Sequence, residues 1–368
     1  MSELDLLYTG IEEDLRATVR DALADRCDTA AVTAVYDGDR SLIGGLWKTL
    51  AVDLGLAGLL VPEDRGGAGA TAREAAVVLE ELGRAVAPVP FLTSAVLATT
   101  ALRETEKRAG AELLADLAAG ECTAALTVAL STAPDGELPP VRADGGRLHG
   151  TVTSVAGVLE AEVLLVPATT GDGLALFAVA AGEAGREPVV CLDMTRQLAD
   201  VTLRGTPGTL VLGQAEPAVR HALRTTTALL AAEQVGIARW CLEETVAYLK
   251  QRRQFGRIVG GFQALKHRLA DLAAGVDGAT SAARYAAATL AAGDPDSEIA
   301  ATIAQAYCGD FAVTAAEEAI QLHGGIGMTW EHPAHLYLKR AKADQLAFGT
   351  PGQQRTKLAE LIELPGPR

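Results

Sequence analysis

The sequence predicts a mainly α-helical protein with a central β domain. Apolar residues recur at three- and four-residue spacing toward both ends of the chain, whereas short β-rich runs fill its middle. The chain has 368 residues, more than one hydrophobic core usually serves, and its 49% hydrophobic and 21% charged residues are typical of a globular protein. We therefore expect three packed parts, helical in residues 1–118, β in 119–214 and helical in 215–368.

The first part is predicted to begin with helices, because apolar residues keep helical spacing from Asp5 to Leu60. A Gly-rich turn at Gly66–Gly69 follows a short apolar run. This turn lacks the GxGxxG spacing and the lysine of a P-loop, which favours a tight turn over a phosphate cradle. Thr71, with Glu74 three residues later, forms a capping-box pattern that starts the next helix.

The middle part, from Cys122 to Val211, contains the short runs AALTVAL, AEVLLVPA and ALFAVA. Turn clusters such as APDGELPP and ADGG separate these runs, and no helix of ordinary length fits between them. This spacing predicts a small antiparallel barrel or sandwich.

The last part returns to helical periodicity in three long stretches, Val219–Arg252, Gln263–Ala292 and Asp296–Leu322. Each stretch is long enough to form a helix of an up-down bundle. We expect a C-terminal helical bundle that packs with the other two parts as one unit.

Charge and cysteine usage exclude several classes of protein. A net charge of -15 argues against nucleic acid or a membrane surface as a partner, because both are anionic. The N-terminal sequence is acidic and amphipathic, unlike a secretory signal, and no apolar run is long enough to span a bilayer. The scattered cysteines lack metal or redox spacing, so we expect reduced, inert thiols and a cytoplasmic location. The cysteines are Cys27, Cys122, Cys191, Cys241 and Cys308.

Two segments combine residues that suit a nucleotide. In KQRRQFGRIVGGFQALK, Arg252 and Arg253 at a helix end meet an aromatic ring and two glycine turns, which suits a pyrophosphate or adenine group. In AIQLHGGIGM, glycines break a helix so that a ligand can approach the backbone, and Gln321 adds an amide. The alternative is a helix hairpin with solvated arginines in the first segment and a packing turn in the second.

Together the two segments resemble the signature of the acyl-CoA dehydrogenases, with RxQFG, then Gln263 eight residues after its Phe, then QLHGGIG. The resemblance covers nearly the whole chain. It implies the family's N-terminal helical domain, small β domain and C-terminal four-helix bundle, and FAD extended between two subunits. The residues implied to contact the ADP half of FAD are Arg252, Gln254, Phe255, Val259, Phe262, Gln263, Gln321, Gly324 and Gly325.

The reaction that the resemblance implies is α,β-desaturation of an acyl-CoA thioester, in which a carboxylate takes the α-proton and the β-hydrogen passes to the flavin as hydride. The family's usual base is a Glu before a Gly-Thr pair, but Phe348 stands there in this chain. Thr226 stands at about the position on the first bundle helix where some members carry the Glu. The flavin-ring shelf differs too, because Ser154 and Ala156 fall near an expected Trp and Thr, and only Thr127 is kept as a hydrogen-bonding residue.

The neighbouring residues indicate the roles of the other acids and of the histidines. Glu233 lies among alanines, where burial would raise its proton affinity, so it is the candidate base within this chain. We interpret Glu243, Glu244 and Glu331 as surface or structural residues. His332 and His335 have metal-ligand spacing, but without a third nearby ligand we expect no metal site. The other four histidines are His149, His221, His267 and His323.

Three hypotheses follow from the resemblance. The leading one is the base-lacking subunit of a hetero-oligomer (α2β2), in which a homologous subunit carries the Glu and the acyl group is bulky, of the steroid side-chain type. The second is a homo-oligomeric dehydrogenase that uses a non-standard base such as Glu233. The third is a non-catalytic scaffold or regulatory protein. For an active enzyme the family implies an acyl-CoA substrate and electron-transfer flavoprotein as a possible electron acceptor.

Overall fold

A computed structural model describes residues 4–365, and in chain order its large sheet lies between two helical parts. In chain order the helices are α1 Gly10–Arg26, α2 Thr29–Tyr36, α3 Ser41–Lys48, α4 Ala72–Ala85, α5 Thr99–Leu102, α6 Arg108–Ala119, α7 Glu216–Gln251, α8 Gln263–Ala292, α9 Ser297–His323, α10 Ala334–Leu346 and α11 Pro351–Leu361. π-Helical turns cover Thr49–Asp53 and Phe91–Ala98.

Helix boundaries in the first part follow local capping chemistry. The predicted capping box starts α4, with the Thr71 hydroxyl and the Glu74 carboxylate each accepting a main-chain N–H. The helix ends at Val86, which is left-handed at φ 46°, before the prolines that follow. The predicted tight turn at Gly66–Gly69 is present as well. A Cβ at Gly67 would lie 2.1 Å from the carbonyl oxygen of Val61, so this turn has no room for a side chain.

The middle part is an eight-stranded sheet in which β6-β7-β3-β2-β4-β5-β8 are neighbours and β1 pairs with β4. The strands are β1 Ala124–Leu126, β2 Arg142–Asp144, β3 Arg147–Ala156, β4 Val163–Thr170, β5 Gly173–Ala180, β6 Gly185–Val189, β7 Leu198–Pro207 and β8 Thr209–Leu212.

The prediction of a wholly antiparallel sheet is wrong at one edge of β4. Strand β1 pairs in parallel with the start of β4, and β2 pairs in parallel near its end. The segment between β1 and β2 contains Pro134, Pro139 and Pro140, which lack the N–H that a continuous strand would need. The chain therefore leaves the sheet after β1 and returns as β2 along the same edge.

The C-terminal bundle agrees with the predicted helices, since α7, α8 and α9 lie within a few residues of the three periodic stretches. Small side chains such as Ala231, Ala283 and Ala304 line the contact between these helices and let their backbones approach closely. One larger apolar core joins all three parts, from Val19 through Leu165 of the sheet to Phe348. The protein therefore packs around a shared core, as expected.

Two features of the described residues concern location and redox state. None of the described helices is long and apolar enough to cross a membrane. All five cysteines are free thiols. Burial raises the pKa of Cys27 and of Cys308 to about 12, so both thiols stay protonated and unreactive.

Candidate functional site

The first segment that is predicted to bind a nucleotide forms a short β-hairpin with a two-residue turn directly after α7. Its strands are β9 Arg253–Gln254 and β10 Arg257–Ile258. Phe255 and Gly256 between them have φ 52° and 73°, the left-handed pair that a type I′ turn requires. The hairpin projects into solvent, and the side chain of Phe255 is 88% exposed.

The residues after the hairpin turn the chain into α8. Val259 donates its N–H to the Arg252 carbonyl at 2.8 Å, which closes the hairpin onto the end of α7. The Arg257 guanidinium lies 4.1 Å above the ring of Phe262, and the ring of Phe255 meets it edge-on with 6.1 Å between ring centroids. Gln263, the first residue of α8, is exposed.

The second predicted segment ends α9. Gly324 has φ 64° and caps the helix, and Gln321, Gly324 and Gly325 are all exposed. A Cβ at Gly324 or Gly325 would meet no atom within 4 Å, so another molecule can reach this backbone.

The two segments lie at the same end of the bundle. The ring of Tyr248 on α7 lies 4.4 Å from that of His323, next to Gly324, and Arg252 follows one turn after Tyr248 with its N–H bonded to the Tyr248 carbonyl at 2.9 Å. Within residues 4–365, Arg252 forms no ion pair, and no side-chain hydrogen bond joins the two segments. Free guanidinium and amide donors beside open glycine backbone fit the pyrophosphate and adenosine of a dinucleotide.

The position of the family's usual base is filled by a buried aromatic ring. Phe348 is 1% exposed, and its N–H donates to the Leu130 carbonyl at 2.8 Å. Gln354 donates to the Phe348 carbonyl at 2.8 Å, so both main-chain groups are held. At the alternative position, the Thr226 hydroxyl is buried and donates to the Ala222 carbonyl at 2.7 Å. Neither position offers a proton acceptor to a substrate.

The candidate base Glu233 is buried between two arginines. Arg196 donates to both carboxylate oxygens at 2.7 Å, and Arg340 donates to one of them at 2.6 Å. Burial acts to raise the pKa of Glu233, but the two guanidinium groups outweigh it and the pKa is lowered. The expected rise in proton affinity is therefore wrong, and the reason for assigning Glu233 as a base is removed.

The ion pairs of Glu233 belong to a larger buried network that the sequence interpretation missed. Arg340 also donates to Asp193 at 2.6 Å, and Arg196 pairs with Asp344. Three carboxylates face two guanidinium groups, so one acid can hold a proton. Burial, then the charge of Glu233, raises the pKa of Asp344 well above its usual value. The helical spacing of Tyr337, Arg340 and Asp344 could have predicted a buried polar face.

A cavity of about 290 Å³ lies between the sheet and α10, beside this network. Its lining includes Leu130, Ser154, Arg196, Leu198, Lys342 and Leu346. Of the three predicted ring-shelf positions, Ser154 lines this cavity, whereas Ala156 and Thr127 are buried. The buried Thr127 hydroxyl has no hydrogen-bond partner among the described residues.

The remaining acids and histidines fall into separate groups. Glu243 pairs with Arg84 at 2.5 Å, as expected for a surface residue. The ring of His335 lies 4.5 Å from that of Trp330. His332 instead lies 4.0 Å, ring to ring, from His323 and close to Glu244. Spacing along the chain does not reveal this group, because its three residues come from α7, the end of α9 and the loop before α10.

Comparison with known proteins identifies the family. The acyl-CoA dehydrogenase N-terminal domain matches residues 9–121, and the acyl-CoA dehydrogenase C-terminal domain matches residues 217–362. Acyl-CoA dehydrogenase IpdE2 of Mycobacterium tuberculosis is 36% identical over 95% of this chain and 97% of its own length. The chain belongs to the acyl-CoA dehydrogenase family. As a member, it is an FAD-dependent oxidoreductase of that class.

Two solved structures of this family extend the comparison. A variant of the steroid ACAD Tcur3481-Tcur3483 is 30% identical, covers 96% of this chain and 98% of its own, and has a TM-score of 0.83. The ChsE4-ChsE5 complex from Mycobacterium tuberculosis is 28% identical, covers 99% and 100%, and has a TM-score of 0.86. The acyl-CoA dehydrogenase fold expected from the sequence is thus confirmed.

Proposed function

We propose that this chain is the base-lacking subunit of a hetero-oligomeric, FAD-dependent acyl-CoA dehydrogenase. It contributes contacts to the ADP half of FAD, and a homologous subunit contributes the flavin-ring shelf and the catalytic Glu. The assembly desaturates a bulky acyl-CoA of the steroid side-chain type and passes electrons to electron-transfer flavoprotein. A cytoplasmic location is part of the proposal, and the free cysteines support it.

The observation that carries the proposal is Phe348. A phenyl ring cannot take a proton, and this one is buried in the core at the position where the family places its base. Glu233 cannot replace it, because a carboxylate held by Arg196 and Arg340 has a lowered pKa and no free oxygen to offer a substrate. A proton acceptor from another chain is the simplest completion of the reaction.

The exposed donors at the end of the bundle support the FAD contacts. When bound, FAD supplies the acceptor for the β-hydrogen. Arg252 and Gln254 would hold its pyrophosphate, with Phe255 against the adenosine. The amide of Gln321 and the open backbone of Gly324 would hold the rest of the ADP half. Val259, Phe262 and Gln263 remain predicted contacts on the adenine side.

Two observations support a partner subunit and a bulky substrate. Similar structures include a steroid ACAD and a two-component complex. The cavity of about 290 Å³ between the sheet and α10 is no larger than the smallest usual ligand pockets, which start at about 300 Å³. A steroid acyl group together with a flavin ring needs more room than this cavity offers, so we assign the acyl site to the partner.

Co-expression tests the proposal directly. The chain should be purified alone and together with an acyl-CoA dehydrogenase subunit that carries the Glu. We expect little flavin and no turnover from the lone chain, and flavin absorbance with turnover from the complex. A Glu→Gln change at the partner's base should abolish turnover while flavin stays bound. Stoichiometric FAD and full activity in the lone chain would refute the proposal.

The Arg252→Ala variant tests the cofactor contact. We expect FAD to bind the complex about 10- to 100-fold more weakly, because one charge-assisted hydrogen bond contributes roughly 1.5–3 kcal/mol. The measurement is the flavin retained after dilution and gel filtration of the complex. Arg108→Ala is the matched control, since Arg108 is an exposed arginine on α6 and its loss should leave flavin unchanged. Equal retention in both variants would exclude Arg252 from the FAD site.

A further inference from the structure

We propose that Glu244, His323 and His332 form a binding site for a divalent transition-metal ion, and that Zn²⁺ is the ion it fits best. The ligand-capable atoms of these three side chains all lie within 4.8 Å of one another. Two imidazole nitrogens and a carboxylate oxygen are common zinc ligands. The inference does not depend on the proposed function.

One face of α7 brings the three residues together. Trp240, Glu244 and Tyr248 are spaced four residues apart and therefore lie in a row on that helix. The ring of Tyr248 lies 4.4 Å from that of His323, and the ring of Trp240 lies 6.5 Å from that of His332. Glu244 lies between these two contacts, where the end of α9 meets the loop before α10.

The hydrogen bonding of His323 leaves one of its ring nitrogens available to an ion. The side chain is 2% exposed, and its Nδ1–H donates to the Ala319 carbonyl at 2.6 Å, which leaves the lone pair on Nε2. This Nε2 is buried and has no hydrogen-bond partner within the described residues. A buried polar atom without a partner costs roughly 1–3 kcal/mol, which a bound ion would offset. A metal-binding histidine usually donates its other N–H to a carbonyl or carboxylate in this way.

The other two ligands are available. His332 is 9% exposed, and its Nδ1 accepts one long bond of 3.3 Å from the Ala334 N–H. A bound ion would replace this weak hydrogen bond. It could bind Nδ1 itself, or it could bind Nε2, in which case the ring proton moves to Nδ1 and Nδ1 no longer accepts. Glu244 is half-buried and forms no ion pair in residues 4–365, whereas the neighbouring Glu243 pairs with Arg84.

The loop around the site is closely packed. A Cβ at Gly327 would lie 2.6 Å from the Ile320 carbonyl oxygen and 2.9 Å from Cβ of His323, so this loop approaches the end of α9 as only glycine allows. Three protein ligands leave one coordination position for water. An ion here would tie α7, α9 and the loop before α10 together, next to the turn at Gly324.

Metal titration of the full chain tests the site. After removal of metal with a chelator, Zn²⁺ is added in competition with a chromophoric indicator, and bound metal is counted by mass spectrometry. Binding of Co²⁺ should add visible absorption bands that report the ligand set. We expect one ion per chain and a higher melting temperature in its presence. We expect binding at least about 10-fold weaker in His323→Ala, His332→Ala and Glu244→Gln.

Two matched variants control the measurement. His335→Ala and Glu243→Gln remove the neighbouring histidine and acid and should keep wild-type affinity. If His323→Ala does not fold, Glu244→Gln decides the question, because the exchange keeps the size of a half-buried side chain. Metal-free wild-type protein after Zn²⁺ addition, or unchanged binding in Glu244→Gln, would overturn the proposal and leave an ordinary buried histidine pair.

Discussion

Replacing Arg340 with methionine is expected to lower the free energy of unfolding by about 3–5 kcal/mol, because the change leaves the buried Asp193 without its ion pair and Glu233 with only the pair to Arg196. Arg340 is itself buried and donates to Glu233 and Asp193, each at 2.6 Å. Methionine keeps much of the side-chain volume, so the loss measures the charge and not a cavity. Denaturant unfolding at neutral pH gives the value.

The matched control is Arg268→Met, which breaks an exposed pair with Glu318 at 2.6 Å and should cost less than about 1 kcal/mol. In the wild type, burial acts to raise the pKa of Asp193, but Arg340 and Thr195 outweigh it and lower the pKa. Its stabilising effect is therefore present above the unfolded pKa of about 4 and is lost as the pH falls through the folded value. A loss for Arg340→Met no larger than that of the control would contradict this account.

The pH dependence of the Arg340→Met variant should have the opposite sign. Without the Arg340 guanidinium, burial raises the pKa of Asp193, so protonation relieves its unpaired charge, whereas Glu233 keeps its ion pair with Arg196. The stability deficit relative to the wild type should be largest at neutral pH and shrink as the pH falls toward about 4. A deficit that grows on acidification would mean that other groups compensate for Arg340.

Restoring the family's acid with Phe348→Glu is expected to give no turnover and to destabilise the fold by more than about 3 kcal/mol. Truncating a buried phenylalanine to alanine costs roughly 3–5 kcal/mol, which is the upper limit for the loss of the ring. A carboxylate at this position would in addition lose its hydration. Because burial would raise the pKa of the new acid, the deficit should be smallest below about pH 4 and grow as the pH rises.

Phe348→Leu is the matched control, since it keeps an apolar side chain at the same backbone conformation, φ 52°. It should cost about 2 kcal/mol, because leucine has three side-chain carbon atoms fewer than phenylalanine and each buried CH₂ contributes roughly 0.8 kcal/mol. Turnover of an acyl-CoA and denaturant unfolding are measured for both variants. Dehydrogenation by the lone Phe348→Glu chain would show that this subunit contains a complete acyl pocket, and the partner proposal would fail.

Much of the architecture was predictable from short-range patterns. The start of α4 follows from Thr71 and Glu74, and the start of α8 at Gln263 and the length of α9 follow from apolar spacing. Such features depend on residues three or four positions apart, which a sequence displays directly. The exposed hairpin after Arg252 is likewise a local structure.

The parallel pairing of β1 with β4 was not predictable from period-two spacing, which is the same in parallel and antiparallel strands. The partner of β1 is decided by where the chain returns after its proline-containing loop. Only the packed sheet shows this path.

The sequence by itself determined the helical boundaries, the family signature and the absence of a carboxylate at Phe348, because each is a property of residue identity and short spacing. Tertiary structure alone decided the chemical state of the other acids. Glu233 receives hydrogen bonds from arginines 37 and 107 residues distant in sequence, which reverse the sign of its expected pKa shift. Folding likewise brings Glu244 and His323 close to His332. Coulomb forces depend on distance in space and not on distance along the chain, so residue spacing alone cannot predict them.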